Sequence, residues 1–341
     1  MRHDTQRTPH IARRKKHRPF IIYLVMINLI CLGGVRPGRT HQNDFATWLQ
    51  TLHSEARQQG IRARTLDAAL AGLQPIPRVI ELDRRQPEFT MTLTEYLQRV
   101  VTPQRIEHGQ RLFKTHRALL NEIGSAYKVQ PRFIAALWGL ETSYGRITGG
   151  FSAIGALATL AYDGRRSKYF RRELLNALWI LDQGHIAPQA MQGSWAGAMG
   201  QNQFMPSSFR QYAVDYDGDG RKDIWTTLPD VFASTANYLA RAGWRGHQTW
   251  GRQVQLPPAL DGKLLGLDIQ KPLPAWQALG IRRIDGRDLP QQPLQASLLQ
   301  PGGGDGPAFL VYHNFRAILR WNRSNYFALA VGKLADALHH P

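Results

Sequence analysis

The sequence has very little cysteine and a shortage of acidic side chains. Cys31 is the only cysteine among 341 residues, so no intramolecular disulfide can form and no thiol chemistry is expected in the mature domain. Asp and Glu total 25 against 43 Lys and Arg, which gives a formal net charge of +18. This positive excess suits an anionic partner, such as nucleic acid, anionic lipid or peptidoglycan with its peptide carboxylates.

Other features are missing as well. The sequence has no zinc-finger spacing and no RNA-binding aromatic signature, so nucleic acid is not an expected partner. It contains no internal repeat and no low-complexity tract, and no organic cofactor is expected. Hydrophobic residues make up 43% and charged residues 20% of the chain, which is typical of a globular protein rather than a disordered one.

The N-terminal segment, residues 1–35, is typical of an export signal. A basic block at residues 13–18 precedes an apolar run at residues 20–35, which is the order of regions in a signal peptide. The run is shorter than the ~20 residues that span a bilayer as a helix, so cleavage is favoured over an uncleaved membrane anchor. Lipidation of Cys31 is not expected, because Ile30 stands where a small residue is normally found. We therefore expect an exported, periplasmic protein that contacts the membrane only if this segment is retained.

The remaining chain is predicted to be mainly α-helical over residues 42–338. Apolar residues recur with helical spacing at both ends, namely Phe45, Trp48, Leu49 and Leu52 at the start and Phe327, Val331, Leu334 and Leu338 at the end. Further helices are predicted at residues 66–73, 87–100 and 105–127. Prolines, glycines and short apolar runs predict a small β-containing subdomain at about 256–305. The α-rich core would then comprise residues 42–255 and 306–338.

The first candidate site is a carboxylate on an apolar helix. Pro131 suits the first turn of a helix. The apolar face that follows comprises Phe133, Ala136, Leu137 and Leu140. Glu141 continues that face, beside Trp138 and Tyr144, and burial there would raise the pKa of its carboxyl, as a general acid requires near neutral pH. Periodicity alone leaves open that Glu141 merely pairs with an arginine or caps a neighbouring helix.

Residues 193–209 form a second candidate site, in which small residues, amides and aromatics alternate. Small side chains let a polymer approach the backbone closely. Ser194 and Gln203 could hydrogen-bond N-acetyl and hydroxyl groups, while Trp195 and Phe204 offer apolar faces to sugar rings. A tight glycine-rich turn within a helical core explains the same composition equally well.

An acidic loop predicts a structural calcium site. Its spacing matches an EF-hand-type loop, with Gly220 at the sharp turn and Thr226 in place of the usual bidentate Glu. Four carboxylates within nine residues repel one another without a cation, so Ca²⁺ is favoured over a plain loop. The expected ligands are Asp215, Asp217, Asp219, Arg221 (through the backbone carbonyl that this loop position supplies), Asp223 and, just beyond the loop, Asp230.

Three unusual motifs occur in order along the chain. They are Leu140-Glu141-Thr142-Ser143-Tyr144-Gly145, the block 196–200 leading into 203–208, and the Asp-Gly-Asp-Gly loop at 217–220. Together with residues 161–166, 236–239 and 314–330, they resemble the membrane-bound lytic transglycosylase B family over about residues 42–338. The resemblance implies a lysozyme-like core, to which extra N-terminal helices and the small β-containing subdomain are added.

The resemblance also implies a reaction. Such enzymes cleave the β-1,4 bond between N-acetylmuramic acid and N-acetylglucosamine in peptidoglycan strands during cell-wall turnover, and the muramyl 6-hydroxyl attacks to leave a 1,6-anhydro end. Glu141 would protonate the leaving oxygen and then take the proton of the 6-hydroxyl, while the substrate's N-acetyl group replaces a second carboxylate. Other cell-wall enzymes are further expected partners. The substrate-binding positions implied by the likeness are Ser194, Gln203, Tyr96, Tyr238, Asn314 and Tyr144.

Two alternatives stay open. A hydrolytic muramidase would use water and a second carboxylate, for which Asp163 and Glu173 are available, although Glu173 is expected on a helix surface beside two arginines. A non-catalytic wall-binding protein would keep an aromatic groove and lose the acid. Gln201 and Asn202 replace the Tyr-Gly of the family prototype, so the resemblance does not assign the contacts at that rim. No separate peptidoglycan-binding module is expected after residue 338.

Overall fold

Helices dominate the fold. The structure is a computed structural model that describes residues 42–85, 91–304 and 306–339. The α-helices in these ranges are α1 (Gln42–Gln58), α2 (Ala63–Leu70), α3 (Pro77–Arg84), α4 (Leu93–Val100), α5 (Pro103–Thr115), α6 (Arg117–Tyr127), α7 (Pro131–Thr142), α8 (Ala153–Tyr162), α9 (Ser167–Asp182), α10 (Pro206–Tyr212), α11 (Leu228–Arg241), α12 (Leu273–Ala278), α13 (His313–Trp321) and α14 (Asn325–His339). The predicted mainly α fold class is confirmed.

The first and last helices form where the apolar spacing predicts them. α1 buries Phe45 and Leu52 and ends just before Gly60, whose φ of 88° lies in the left-handed region that glycine adopts without strain. α14 buries all four of the residues predicted to face the core, Phe327, Val331, Leu334 and Leu338. The amphipathic pattern therefore predicts the first and the last helix of the core correctly.

The helices between α1 and α5 differ from the prediction in number and bounds. α2 begins and ends earlier than the predicted 66–73, and α3 is absent from the prediction. The prediction of a helix over 87–100 falls partly on residues outside the described ranges. α4 begins at Leu93 behind a capping box, in which the Thr92 hydroxyl accepts from the Glu95 amide and the Glu95 carboxylate accepts from the Thr92 amide at 2.8 Å.

The single helix predicted over residues 105–127 is wrong, because the chain breaks between α5 and α6. The backbone of His116 leaves the helical conformation, with φ −101° and ψ 17°. Its ring lies 6.1 Å from that of Trp138 and 6.0 Å from that of Phe232. The break thus places this ring against the core, and no proline or glycine marks it in the sequence.

α7 is the central helix of the α-rich core. Eight of its twelve residues are buried, and it packs against α5, α6, α11 and α14. A helix that is apolar almost all round belongs in a protein interior. Glu141, on its last turn, is therefore attached to one of the most firmly held elements of the protein.

The small subdomain is built on a five-stranded antiparallel sheet. A separate two-stranded sheet joins β1 (Phe151–Ser152) and β2 (Gln192–Gly193). The larger sheet comprises β3 (Gly251–Gln255), β4 (Lys271–Pro272), β5 (Arg282–Arg283), β6 (Gln295–Leu299) and β7 (Ala308–Val311). Its strand order is β4-β6-β7-β3-β5, with Arg252 and Leu298 both opposite Leu310. The sheet extends on both sides beyond the predicted limits of 256–305.

Trp250 attaches this sheet to the helical core. A Cβ atom on Gly332 of α14 would lie 2.3 Å from the Trp250 ring, so only glycine allows this contact. The Trp250 indole also donates a hydrogen bond of 3.0 Å to the carboxylate of Asp336. The subdomain therefore supports α14, which in turn packs on α7.

Within the three described ranges, no helix is both long enough and apolar enough to cross a membrane. The predicted export segment, residues 1–35, and Cys31 lie outside those ranges.

Candidate active site

Glu141 is held by the way in which α7 begins and ends. Pro131 occupies the first turn, where its missing N–H is not needed. Ser143 ends the helix in the left-handed conformation, with φ 51°. The amide of Tyr144 then donates back to the carbonyl of Trp138 at 3.2 Å, which closes the last turn in the manner of a Schellman motif. The backbone beneath Glu141 is thereby fixed.

Tyr144 holds this turn against α5. Its φ of 62° is unusual for a residue other than glycine, and its hydroxyl donates to the carbonyl of Arg105 at 3.1 Å. A Cβ atom on Gly109 would lie 2.0 Å from the Tyr144 hydroxyl, and one on Gly139 would lie 2.6 Å from the Tyr144 ring. Both positions therefore need glycine to leave room for this side chain. Tyr144 is 5% exposed. This placement makes Tyr144 a support for the end of α7, and its contact with substrate stays a prediction.

The Glu141 carboxyl has the protonation behaviour of a general acid. It is partly exposed, and its Oε1 accepts a hydrogen bond of 2.7 Å from Nε1 of Trp321. Burial raises its pKa from 4.5 to about 8, although the hydrogen bond from Trp321 acts in the opposite direction. The predicted rise of this pKa by burial is confirmed. A carboxyl of this kind is largely protonated at neutral pH and can donate its proton.

Aromatic rings pack around the indole that donates to this carboxyl. The Trp321 ring is 5.2 Å from that of Phe204 and 4.7 Å from that of Tyr238. Tyr238 is buried, and its hydroxyl donates to the carbonyl of Arg320 at 2.6 Å. Tyr96 is also buried, and burial, followed by the charge of Glu141, raises its pKa to about 12. Both predicted cleft tyrosines therefore lie near Glu141, and their contact with substrate stays a prediction.

Gln203 carries an acceptor without a partner. It adopts a left-handed conformation, with φ 50°, and its Nε2 donates to the carbonyls of Thr148 and Gly200, each at 2.9 Å. Its Oε1 is buried and has no hydrogen-bond partner in the described part of the chain. An unsatisfied buried acceptor costs about 1–3 kcal/mol, so this oxygen is a candidate acceptor for an N–H or O–H of a ligand.

The rest of the second candidate site is more enclosed than the sequence predicts. The Ser194 hydroxyl accepts from the amides of Ala196 at 3.3 Å and Ala198 at 3.1 Å, and so closes the tight turn between them. Trp195 and Phe204 are 9% and 3% exposed. They are core residues, so the prediction that they offer open faces to sugar rings is wrong.

Gln201 and Asn202 lie inside the protein. Gln201 accepts a hydrogen bond from the Trp138 indole at 2.7 Å and donates to the carbonyl of Trp225 at 2.9 Å. Asn202 donates to the carbonyl of Val231 at 2.8 Å. Both side chains are buried, and their amides join the loop to α7 and α11.

Asn314 is also an interior residue. It is fully buried in α13, its Oδ1 accepts from the Arg245 amide at 2.8 Å, and its Nδ2 donates to the carbonyls of Arg245 and Gln248. All of these partners belong to the turn at residues 245–248. The predicted role of Asn314 in the cleft is therefore wrong, because its side chain is used to hold this turn.

The acidic loop brings three of the predicted carboxylates together. Oxygens of Asp215, Asp217 and Asp230 lie within 4.8 Å of one another. Asp219 does not join them, because it pairs with the Arg221 guanidinium at 2.8 Å. Asp223 also points elsewhere, since it accepts from the amides of Trp225 and Thr226, each at 2.8 Å. The predicted set is thus corrected to three carboxylates, and the backbone carbonyl of Arg221 stays a prediction.

Neither acid proposed for a muramidase lies beside Glu141. Asp163 pairs with Arg84 at 2.8 Å, and Glu173 accepts from the Ser207 amide at 2.8 Å. Glu173 is 1% exposed, so its predicted surface position is wrong. The groups that shift the pKa of Glu141 include no second carboxylate. Hydrolysis by a pair of carboxylates therefore has no geometric support.

Residues 44–336 match the family model described as the transglycosylase SLT domain. The chain belongs to the lytic transglycosylase family. Membrane-bound lytic murein transglycosylase B of Escherichia coli (strain K12) is 31% identical over 327 residues, which cover 91% of this chain and 86% of that protein. The family resemblance of the three motifs is thereby confirmed, and the protein is an enzyme of the peptidoglycan-cleaving class.

Two solved structures support the same assignment. SltB3 from Pseudomonas aeruginosa in complex with NAG-anhNAM-pentapeptide is 48% identical with a TM-score of 0.85, over 87% of this chain and 80% of that one. The Escherichia coli lytic transglycosylase Slt35 in complex with calcium is 31% identical with a TM-score of 0.72, over 85% and 92%. The predicted lysozyme-like transglycosylase fold is confirmed.

Sequence reasoning misses one residue of this lytic transglycosylase site. Trp321 lies within the stretch 314–330 that carries the family resemblance, but nothing in its spacing relates it to Glu141. The two residues are 180 positions apart, and α13 brings the indole to the carboxyl.

Proposed function

We propose that this lytic transglycosylase cleaves the β-1,4 bond between N-acetylmuramic acid and N-acetylglucosamine in peptidoglycan and forms 1,6-anhydro ends. The observation that carries this proposal is a single carboxyl, Glu141, with a pKa of about 8 and, within the part of the chain that the structure describes, no second carboxylate among the groups that shift this pKa. Hydrolytic glycosidases of the usual kind place two carboxylates about the scissile bond. With one such group, the N-acetyl group of the substrate can take the place of the second carboxylate. Membership of the lytic transglycosylase family favours attack by the muramyl 6-hydroxyl over attack by water, and complexes of SltB3 with NAG-anhNAM-pentapeptide and NAG-NAM-pentapeptide support this substrate class.

Glu141 acts first as an acid and then as a base. The protonated carboxyl gives its proton to the glycosidic oxygen as the bond from that oxygen to C1 of muramic acid breaks. The N-acetyl oxygen of the same sugar then bonds to C1. In the second step the carboxylate takes the proton of the 6-hydroxyl, whose oxygen attacks C1 and displaces the N-acetyl oxygen. Because Glu141 is largely protonated at neutral pH, the cycle begins in the required state.

The surroundings of Glu141 support the binding of an N-acetylated sugar. The unpaired Oε1 of Gln203 fits the role of acceptor for the N-acetyl N–H, and Ser194 keeps the adjoining turn in shape. Tyr96 and Tyr238 lie near the carboxyl as cleft tyrosines.

We further infer that the acidic loop binds Ca²⁺ in a structural role. Carboxylate oxygens are the ligands that this hard cation prefers, and burial raises the pKa of Asp230, a cost that a cation beside Asp215 and Asp217 would offset. The loop is tied to the second site, since the Gln201 amide donates to the carbonyl of Ile224 at 2.8 Å. The ion would steady this region without entering the reaction.

The expected setting of the enzyme is the periplasm, where peptidoglycan strands are its partners. The basic and apolar N-terminal residues support export, and the protein would stay at the membrane, as the name of its membrane-bound relative says of that protein, only if this segment is retained.

The experiment that tests this function is digestion of purified peptidoglycan by the Glu141→Gln variant. Glutamine keeps the size of the side chain but cannot donate and retake a proton, so turnover should fall by at least ~10²-fold while binding to insoluble peptidoglycan survives. Glu107→Gln is the matched control, because Glu107 is exposed on α5. Near-normal digestion by the Glu141 variant would return this residue to a structural role.

A further inference from the structure

The hydrogen bond between Trp321 and Glu141 specifies which carboxyl oxygen carries the proton. Its length of 2.7 Å is at the short end for N–H···O bonds. An indole N–H can only donate, so Oε1 of Glu141 must offer it a lone pair. In a neutral carboxyl the carbonyl oxygen is the better acceptor. The proton of the acid form therefore belongs on Oε2.

The donor itself is firmly held. Trp321 is the last residue of α13, and its ring packs against Phe204 and Tyr238. The Tyr238 hydroxyl also holds the neighbouring backbone through the carbonyl of Arg320. On the other side, the Asn322 amide donates to the carbonyl of Ile318 at 3.0 Å and closes the helix. The indole therefore cannot turn to another acceptor without disturbing this packing.

We propose, on the basis of the function proposed above, that Trp321 is a positioning residue that keeps the acid proton on Oε2 of Glu141. The same oxygen then serves both half-reactions. Oε2 gives its proton to the glycosidic oxygen, which keeps the electron pair of the broken bond to C1. Oε2 next takes the proton of the 6-hydroxyl as the 6-oxygen bonds to C1. Oε1 stays bonded to the indole throughout, so the carboxyl does not have to rotate between the steps.

The indole also affects the equilibrium between the protonated and the ionised carboxyl of Glu141. Its N–H stabilises the carboxylate, whereas burial stabilises the neutral acid. The cycle needs both forms in turn. Loss of the N–H should therefore raise the pKa of Glu141 further and make the carboxyl a weaker acid.

The test is the Trp321→Phe variant, which keeps an aromatic ring and removes the N–H. A hydrogen bond to a charged group accounts for about a 10- to 100-fold effect, so kcat on peptidoglycan strands should fall by that factor with little change in KM. The alkaline limb of kcat/KM should also move to higher pH. A kcat within about 2-fold of the wild type, or an alkaline limb that does not move, would overturn the proposal.

Trp250→Phe is the matched control. It removes another indole-to-carboxylate bond, that of Trp250 to Asp336, at a place outside the site. This variant should lose stability and keep the pH profile of the wild type. If it shifted the profile as Trp321→Phe does, the shift would reflect general loosening rather than the bond to Glu141.

A measurement on the wild-type protein covers the case in which Trp321→Phe does not fold. The indole proton resonance of Trp321, assigned through its contacts with the rings of Phe204 and Tyr238, should titrate with a midpoint at the pKa of Glu141, about 8. It should not titrate in Glu141→Gln. A resonance that stays constant through this range contradicts the proposal. Formation of hydrated muramic ends would instead contradict the transglycosylase reaction and leave this titration unaffected, so the two failures are distinguishable.

Discussion

Replacement of Glu141 by glutamine should make the protein more stable at alkaline pH. The folded state holds the carboxyl at a pKa of about 8, against an ordinary value of 4.5. Between these values the folded protein keeps a proton that the unfolded chain has released. The free energy of unfolding of the wild type therefore falls as pH rises through this window, and the full penalty is present above it. Glutamine does not ionise and carries no such penalty.

The size of the effect follows from the same two values. Each tenfold change in an ionisation constant corresponds to about 1.4 kcal/mol, so full burial would give about 5 kcal/mol. Glu141 is partly exposed, and solvent reduces the penalty, so we expect about 2–3 kcal/mol in favour of the glutamine variant. At the acidic end of the window the two proteins should be equally stable, because both carry a neutral side chain.

The assay is urea unfolding of both proteins from about pH 5 to about pH 9 at constant calcium and ionic strength. Contributions from all other titrating groups cancel in the difference between the two. Glu107→Gln, at an exposed position on α5, should show no comparable trend. A difference that is the same at both ends of the range, or one that favours the wild type at high pH, would refute the raised pKa of Glu141 in the folded state.

Two further predictions concern the supports of the site. Calcium at 100 times its Kd should stabilise the protein by about 2.7 kcal/mol, measured as a shift between thermal melts with and without chelator. Asp217→Ala should abolish this shift. Asp219→Ala should keep most of it, because the Asp219 carboxylate already pairs with Arg221. Equal loss in both variants would contradict the three-carboxylate site. Gly139→Ala should lower the free energy of unfolding by about 1–3 kcal/mol and lower kcat, because the added Cβ would lie 2.6 Å from the Tyr144 ring. Gly262→Ala is the control and should be neutral, because there is open space around Gly262. A neutral Gly139→Ala would contradict the role of Tyr144.

Local sequence patterns explain why part of the site is predictable. Pro131 starts α7, the apolar residues that follow bury it, and Glu141 continues the buried face within the same helix. The three clustered carboxylates, which are Asp215 and Asp217 of the acidic loop and Asp230 just beyond it, are likewise close in sequence, so their spacing predicts their proximity. The same reasoning would have placed Glu173 correctly, because Phe170, Glu173 and Leu174 follow helical spacing and are all buried.

Long-range contacts account for what the sequence does not predict. Trp321 reaches Glu141 only because α13 crosses the core beside α11 and α14. Asn314 has a polar side chain that would suit a cleft, yet its hydrogen-bond partners are backbone groups about 70 positions away. The break at His116 depends in the same way on rings of α7 and α11. No periodicity within a single helix contains this information.

The most direct test of the central claim is mass analysis of the muropeptides released from purified sacculi in oxygen-18-labelled water. If Glu141 works without a second carboxylate and the 6-hydroxyl attacks, the products should end in 1,6-anhydromuramic acid. They should be one water lighter than lysozyme products, with no label taken up. Reducible muramic ends that carry the label, as the main product, would contradict the account and identify the enzyme as a hydrolytic muramidase.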